Sequence, residues 1–188
     1  MSQANKHYRK SVQIIPLLII GVGLLVIGAV ALSFILKDGG TEEFSVVPSV
    51  VNFPAPEITL NDLNGQAVSL SNYHQQIVLV NNWATWCPPC KSEMPTLLKY
   101  YQEHNSQGFM LIGIEAGDSE REVAAFVDQY RLTFPILLDP NSKSLISFQN
   151  DSLPSSYVID RSGTVVLAWT GPISKFMLEK YVTPLLEQ

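Results

Sequence analysis

The sequence predicts an α/β domain in which helices cover both faces of a mixed sheet, preceded by one transmembrane helix. Short apolar runs typical of buried strands alternate with helix-like segments over most of the chain. A long uncharged apolar run lies near the N-terminus, and the only two cysteines lie between a strand-like and a helix-like segment. A chain of 188 residues, 46% of them hydrophobic, is large enough for one such domain and an accessory segment.

The accessory segment is the apolar run at residues 14–36, which contains no charged residue. At about 1.5 Å per residue, a helix of this length would reach roughly 34 Å, enough to cross a bilayer. We therefore predict a cytoplasmic N-terminus over residues 1–11, a transmembrane anchor over 12–36, a linker over 37–53 and the folded domain over 54–188. A cleaved signal peptide with a small-residue site at 29–31 is the alternative, but the run exceeds the usual apolar core of roughly 7–15 residues.

The distribution of charge predicts the orientation of the anchor. Three basic residues lie within residues 6–10, whereas all 17 acidic residues follow the apolar run. The positive-inside rule then keeps the short N-terminus in the cytoplasm and places the domain on the other side of the cell membrane, attached by a single pass. The acidic domain argues against nucleic acid and anionic lipid as partners.

The domain is predicted to begin with a β-hairpin whose turn, at residues 61–65, is rich in Asn, Asp and Gly. The run at 77–83 has the continuous apolar pattern of a central buried strand, and Ser119 with Glu122 forms a capping-box pattern that begins a helix. The expected strands are 57–60, 67–70, 77–83, 109–114, 135–138, 155–160 and 164–169. The expected helices are 91–105, 119–130, 141–148 and 174–186.

The two cysteines, Cys87 and Cys90, follow the central strand and precede the first long helix. A Cys-x-x-Cys pair at the N-terminus of a helix is the thioredoxin-type redox arrangement. Two intervening residues allow the sulfurs to meet across one turn, so the pair can cycle between dithiol and disulfide. Unpaired N–H groups and the helix dipole favour the thiolate of the first cysteine.

Two other uses of the cysteine pair remain open. A closed zinc site needs about four ligands, but there is no second cysteine pair and the three histidines are scattered along the chain. A purely structural disulfide would constrain the unfolded chain little, by on the order of 2 kcal/mol or less, because the loop is so short. We therefore predict no metal and no cofactor apart from a redox-active disulfide between Cys87 and Cys90.

Several separated motifs agree in order with one known family. They are Pro-Ala-Pro at 54–56, Leu-Asn-Gly at 63–65, the block 80–90 that contains both cysteines, Glu93 and Pro95 after it, and the segment 153–160. Over about residues 53–186 the chain resembles the TlpA/ResA family of membrane-anchored, extracytoplasmic thioredoxin-like proteins, whose domain is of the redoxin or AhpC-TSA type. The resemblance implies a thioredoxin-like fold with an N-terminal β-hairpin extension.

Three residues depart from the family pattern. Asn82 stands where the family usually has an aromatic residue, Glu115 where a neutral residue is common, and Ser155 where a threonine is usual. These departures bear on substrate preference and redox potential rather than on the type of chemistry.

The predicted catalytic residues are Cys87, Cys90 and Glu93. Cys87, as the exposed first cysteine, is expected to be the nucleophile, and Cys90 to resolve the mixed disulfide. Glu93 lies on the helical face of Cys90 and the family has a glutamate here, so we expect it to exchange a proton with Cys90; an ordinary first-turn acid is the alternative. Asn81 replaces the buried aspartate of cytoplasmic thioredoxins, and its amide cannot relay protons. Glu115 is a weaker second candidate, or else a strand-end acid in solvent.

The predicted substrate-binding residues are Trp86, Pro88, Leu153 and Pro154. The resemblance implies a cis bond before Pro154, which would turn the Leu153 backbone toward the sulfurs and offer its N–H and C=O to an extended substrate strand. Trp86 is expected beside the sulfurs as a surface for partners, and Trp83 in the core.

The residues between the cysteines indicate the direction of electron transfer. A histidine there would stabilise the reduced form and make an oxidant, whereas Pro88 and Pro89 supply no such donor. We expect a membrane-tethered protein-disulfide reductase for exported proteins, and the resemblance implies apocytochrome c as a substrate and a membrane thiol donor such as a CcdA-like transporter. The alternatives are a disulfide oxidant or isomerase, a thiol peroxidase, and a redox-inactive scaffold for cytochrome maturation.

Overall fold

The computed structural model describes residues 19–21, 23–30 and 46–187. Residues 19–21 and 23–30 are helical and exposed. In these three described ranges, no helix is both long enough and apolar enough to cross a membrane. The predicted N-terminus at 1–11 and most of the predicted anchor at 12–36 lie outside the described residues and stay predictions. The chain divides into two units, Met1–Glu43 and Phe44–Gln188, and the second contains the folded domain.

The domain has one eight-stranded mixed sheet, with the strand order β1-β8-β7-β4-β5-β6-β2-β3. Strand β4 pairs in parallel with β5, and β5 with β6, while the remaining pairs are antiparallel. The strands are β1 Ser49–Pro54, β2 Thr59–Asp62, β3 Ala67–Ser69, β4 Ile77–Trp83, β5 Phe109–Glu115, β6 Ile136–Leu138, β7 Ser155–Ile159 and β8 Thr164–Thr170. The helices are α1 Pro88–His104, α2 Glu120–Tyr130, α3 Lys143–Ser147, α4 Lys175–Tyr181 and α5 Thr183–Leu186.

Strand β4 lies at the centre of the sheet, and all seven of its residues are buried. Successive side chains point to opposite faces, so Leu79 joins one hydrophobic cluster and Val80 the other. The first cluster also contains buried residues of α1, α2 and α4, and the second includes Phe148, directly after α3. Helices therefore contribute to both faces, as the sequence predicts.

The first helix, α1, begins at Pro88 rather than at residue 91 as the sequence predicts. Proline is well accommodated in the first turn, where the missing N–H would have no partner within the helix. Cys87 therefore lies at the N-cap position. Helix α2 begins with the expected capping box, in which Ser119 and Glu122 bond to each other's backbone N–H groups.

Two predicted segments are wrong in part. The linker predicted over 37–53 extends too far, because Ser49–Pro54 forms β1, an edge strand that pairs antiparallel with β8. Val51 and Phe53 of β1 pack on the second cluster. The helix predicted over 174–186 is divided into α4 and α5. Pro184 has no N–H to continue the hydrogen-bond pattern of α4, so the helix is interrupted before it.

Candidate active site

The start of α1 places both cysteines at the carboxyl end of β4, where Cys87 and Cys90 are joined in a disulfide with their Cα atoms 5.3 Å apart. Cys87 is the N-cap residue, and its sulfur accepts a hydrogen bond from the Cys90 N–H at 3.3 Å. Pro88 and Pro89 occupy the first two helical positions and carry no N–H. The Cys90 N–H is therefore the first backbone donor of the helix that can serve the Cys87 sulfur.

The expectation of an exposed Cys87 is wrong for the disulfide form. Cys87 is only 2% exposed and Cys90 is fully buried, and both belong to the first hydrophobic cluster. The reason is the N-cap position of Cys87, which turns its sulfur inward over the first turn of α1. Trp83 is fully buried, which confirms the prediction of a core residue, and Trp86 is 64% exposed. The role of Trp86 as a surface for partners stays a prediction.

Glu93 is buried beneath this helix start and is 1% exposed. Its Oε1 accepts a hydrogen bond from the Asn81 side chain at 2.8 Å, and its Oε2 accepts one from the Ile173 N–H at 2.9 Å. The alternative of an ordinary first-turn acid is therefore wrong, because such a residue would face water. The carboxyl group is fixed by contacts from β4 and from the loop after β8.

Two pairs of polar side chains connect β4 to β7. Asn81 lies opposite Ser156 and bonds to its hydroxyl at 2.9 Å, and Asn82 lies opposite Ser155 at 3.3 Å. The Asn82 carbonyl also accepts a hydrogen bond from Ser144 of α3 at 2.6 Å. All five side chains are buried. The polar residue at position 82 is thus accommodated because it has a hydrogen-bond partner on each side.

The bond between Leu153 and Pro154 is cis, which confirms the sequence prediction. Pro154 directly precedes β7, whose first residue lies opposite Asn82, one residue before the end of β4. The pairing brings the proline to the edge of the sheet that carries the cysteines. Within the part of the chain that the structure describes, the Leu153 main chain makes no hydrogen bond, and its role in binding a substrate strand stays a prediction.

Glu115 is also buried, at 1% exposure, so the expectation of a solvent-exposed acid is wrong. It is the last residue of β5 and lies beside Trp83 in the parallel pair with β4. The pKa of Glu115 is raised to about 8, first by burial and then by its side-chain hydrogen bond to Asp118 and the charges of Asp118 and Asp139, while the hydrogen bond from the Asp118 N–H acts in the opposite direction.

Sequence reasoning missed two contributors to this site, Asp118 and the backbone N–H of Ile173. Asp118 follows β5, and the carboxyl ends of parallel strands meet at one edge of a sheet, so its position was a usable signal. Ile173 acts through a main-chain group 80 residues from Glu93, and no side-chain pattern marks it. In residues 19–21, 23–30 and 46–187, no group of three or more His, Cys, Asp or Glu is arranged to hold a metal ion.

Comparison with known proteins agrees with this geometry. Residues 51–168 match the AhpC/TSA family. The thiol-disulfide oxidoreductase ResA of Bacillus subtilis is 34% identical over 128 residues, which cover 68% of this chain and 72% of the relative. The equivalent protein of Geobacillus kaustophilus is 33% identical over 132 residues, or 70% of this chain and 76% of the relative.

Two solved structures share the fold. A thiol:disulfide interchange protein of the thioredoxin family from Chlorobium tepidum superimposes with a TM-score of 0.65 at 28% identity, covering 73% of this chain and 99% of that one. StoA from Bacillus subtilis gives a TM-score of 0.60 at 26% identity, covering 69% of this chain and 98% of that one.

The fold and the cysteine pair, joined in a disulfide, define a thioredoxin-like protein-disulfide oxidoreductase. The chain belongs to the AhpC/TSA family, and within it to the TlpA/ResA family of thiol–disulfide oxidoreductases.

Proposed function

We propose that this protein is a membrane-tethered reductase that acts outside the cytoplasm on disulfides of exported proteins, with apocytochrome c as the expected substrate. The observation that carries the direction is the start of α1, where Pro88 and Pro89 leave the Cys90 N–H as the first backbone donor to the Cys87 sulfur. A thiolate that accepts few hydrogen bonds is weakly stabilised, so the reduced form of the cysteine pair is less stable relative to the disulfide. Such a pair gives up its electrons more readily and is a better reductant.

The reaction transfers two electrons from the cysteine pair to the target. The Cys87 thiolate attacks one sulfur of the target disulfide, forms a mixed disulfide and releases the first target thiolate. The Cys90 thiolate then attacks the Cys87 sulfur, forms the Cys87–Cys90 bond seen in the structure and releases the second target thiolate. Each released thiolate takes up a proton.

The second step requires Cys90 to lose its proton inside the protein, because Cys90 is fully buried. Glu93 lies three residues further along α1, is equally buried and is fixed by two hydrogen bonds. In this proposal Glu93 accepts the proton of Cys90. Asn81 holds the carboxyl group in position and does not itself titrate.

The substrate strand is proposed to bind between Trp86 and the cis-proline segment. Trp86 supplies an exposed aromatic surface, and Leu153 supplies a main-chain N–H and C=O beside Pro154. Pro88 borders the same surface at the start of α1. Main-chain pairing of this kind gives affinity without strong sequence selection, which suits a reductase with several exported targets.

The reduction potential of the Cys87–Cys90 pair tests this proposal. We would equilibrate the full chain in detergent with glutathione or dithiothreitol buffers and measure the reduced fraction. A potential near or below about −270 mV, the range of thioredoxin, supports an exported reductant, whereas one near about −120 mV indicates a disulfide-forming enzyme.

A Cys87→Ser, Cys90→Ser variant that still restored cytochrome c assembly would contradict the catalytic role and favour the scaffold.

The tether and its partners are part of the same proposal. Anchoring through residues 12–36 would keep the domain close to a membrane thiol donor such as a CcdA-like transporter, which is needed because no thioredoxin pool exists outside the cytoplasm. Membrane fractionation of the full chain, with protease added to intact spheroplasts, checks the topology. Protection of the domain from the protease would overturn the extracytoplasmic assignment.

A further inference from the structure

A second buried acidic group lies on the same face of the sheet as Glu93. Glu115 ends β5, beside Trp83 at the end of β4, and both of its carboxyl oxygens lie within hydrogen-bond distance of the Asp118 N–H, at 3.0 and 3.2 Å. Because Glu115 is 1% exposed, its protonation state depends on protein groups rather than on water.

Asp118 connects this glutamate to the loop that carries the cysteines. Its Oδ2 accepts a hydrogen bond at 2.8 Å from the backbone N–H of Thr85, two residues before Cys87. The end of β4, directly before this loop, is held by a second contact, in which the Ala116 N–H donates to the Trp83 carbonyl at 2.9 Å. Of these two contacts, the one through Asp118 ends on an ionisable side chain.

The two acids favour opposite protonation states. The pKa of Glu115 is about 8, as described above. Burial alone would raise the pKa of Asp118, but hydrogen bonds from Thr85 and Glu115 and the charge of Lys91 lower it. Near neutral pH, Glu115 is therefore protonated and Asp118 ionised, so the carboxyl group of Glu115 can donate a hydrogen bond to the neighbouring Asp118 carboxylate. The other charged groups nearby are Asp139, which faces Glu115, and Glu122 of α2, which faces Asp118.

We propose that Glu115 is a positioning residue whose protonated carboxyl group holds Asp118, and through it Thr85, so that the active-site loop stays closed over Cys87. Loss of the proton places two negative charges side by side, and the pair separates. Asp118 then releases the Thr85 N–H, and the Cys87 sulfur, which is 2% exposed in the closed form, becomes accessible to an attacking thiol. This inference rests on the proposed thiol–disulfide exchange at Cys87.

The test is the pH dependence of disulfide reduction by dithiothreitol in the full-length oxidised protein. After correction for the thiolate fraction of the reagent, the rate constant should rise about tenfold through pH 8, because losing one hydrogen bond to a charged group shifts an opening equilibrium by about that factor. Glu115→Gln is neutral at every pH and can still donate to Asp118, so it should remain at the slow rate. Glu115→Ala should be fast throughout, and the exposed Asp128→Asn serves as a control that keeps the wild-type profile.

The Thr85 amide resonance gives a second readout that does not depend on any variant folding. In the wild-type protein its proton shift should move upfield with the same midpoint as the rate, as the hydrogen bond to Asp118 is lost. A corrected rate that is flat or falls through pH 8, or a Thr85 signal that does not titrate, overturns the proposal. The reduction potential is measured separately, so an oxidising potential would refute the reductase function without affecting this result.

Discussion

At the scale of single residues, two buried glutamates have different surroundings on the same face of the sheet. Both accept a hydrogen bond from a backbone N–H, but Glu93 also accepts one from the Asn81 amide, whereas Glu115 lies beside the charged carboxylate of Asp118. A like charge beside a carboxyl group raises its pKa, so Glu115 keeps its proton up to about pH 8. The first arrangement suits proton transfer and the second suits positioning.

Replacing Glu93 by Gln should slow resolution of the mixed disulfide by about 10²–10³-fold between about pH 6 and 8, because positioned acid–base groups contribute factors of that order. Formation of the mixed disulfide at Cys87 should change much less. The rates are measured by stopped-flow mixing of the reduced protein with a peptide disulfide.

The matched control for this substitution is Glu103→Gln, which changes an exposed glutamate of the same helix that pairs with Lys175. Surface ion pairs contribute little, so the control should resolve the mixed disulfide at the wild-type rate. Equal rates for the Glu93 variant and the wild type would refute the proton-transfer role.

The raised pKa of Glu115 also leads us to expect that folding stability depends on pH. The unfolded chain loses this proton near the ordinary value of 4.5, whereas the folded protein keeps it until its pKa of about 8. Between these values the folded state binds more protons, so stability falls as pH rises, by at most about 1.4 kcal/mol per pH unit. Urea unfolding of the oxidised protein at pH 5.5 and 7.5 should show a steeper decline for the wild type than for Glu115→Gln, and parallel declines would contradict the assignment.

At the scale of elements, β1 shows what an edge strand contributes. Val51 and Phe53 are half-buried against the second cluster, whereas Val50 is 82% exposed. Phe53→Ala should therefore lower the free energy of unfolding by about 1–2 kcal/mol, less than the roughly 3–5 kcal/mol of a fully buried aromatic residue. Val50→Ala is the matched control and should stay within about 0.5 kcal/mol. Equal effects in urea unfolding would mean that β1 does not pack as described.

Gly113 of β5 lies opposite Ile136 of β6 and has no room for a side chain. A Cβ atom there would lie 2.8 Å from Ile136 Cδ1, 3.0 Å from Trp83 Nε1 and 3.1 Å from a Phe134 ring carbon. Gly113→Ala should therefore destabilise the domain by about 1–3 kcal/mol through overpacking. Adding Ile136→Val removes the nearest methyl group and should recover part of the loss, so the two changes should be non-additive in urea unfolding. If the two changes in the free energy of unfolding simply add, the strain caused by Gly113→Ala does not arise from contact with Ile136.

At the scale of the whole molecule, the sequence was most informative where burial is continuous or where a local motif is complete. Strand β4 was predicted with both ends correct because its sequence is rich in apolar residues, and all seven residues are buried. Helix α2 was predicted from its capping box. The cysteine pair and the cis bond before Pro154 followed from short motifs that occur together.

The remaining features depend on contacts that a linear pattern does not contain. Strand β1 lies at the edge of the sheet, is paired only with β8 and contains no buried residue, so its position depends on that one partner. The Thr85–Asp118 contact joins a main-chain N–H to a carboxylate 33 residues away, so Thr85 could have been any non-proline residue. The burial of Cys87 depends on how the first turn of α1 folds over its own N-cap.

The two asparagine–serine pairs between β4 and β7 have a consequence for the alignment of these strands. The pairs lie on opposite faces, since Asn81 and Asn82 are consecutive. A slip by one residue would exchange the faces of β7, and a slip by two would set amides against apolar neighbours, each unsatisfied group costing on the order of 1–3 kcal/mol. The pairs therefore favour a single register of the two strands, and that register sets Pro154, the residue before Ser155, near the end of β4 that leads to the cysteines.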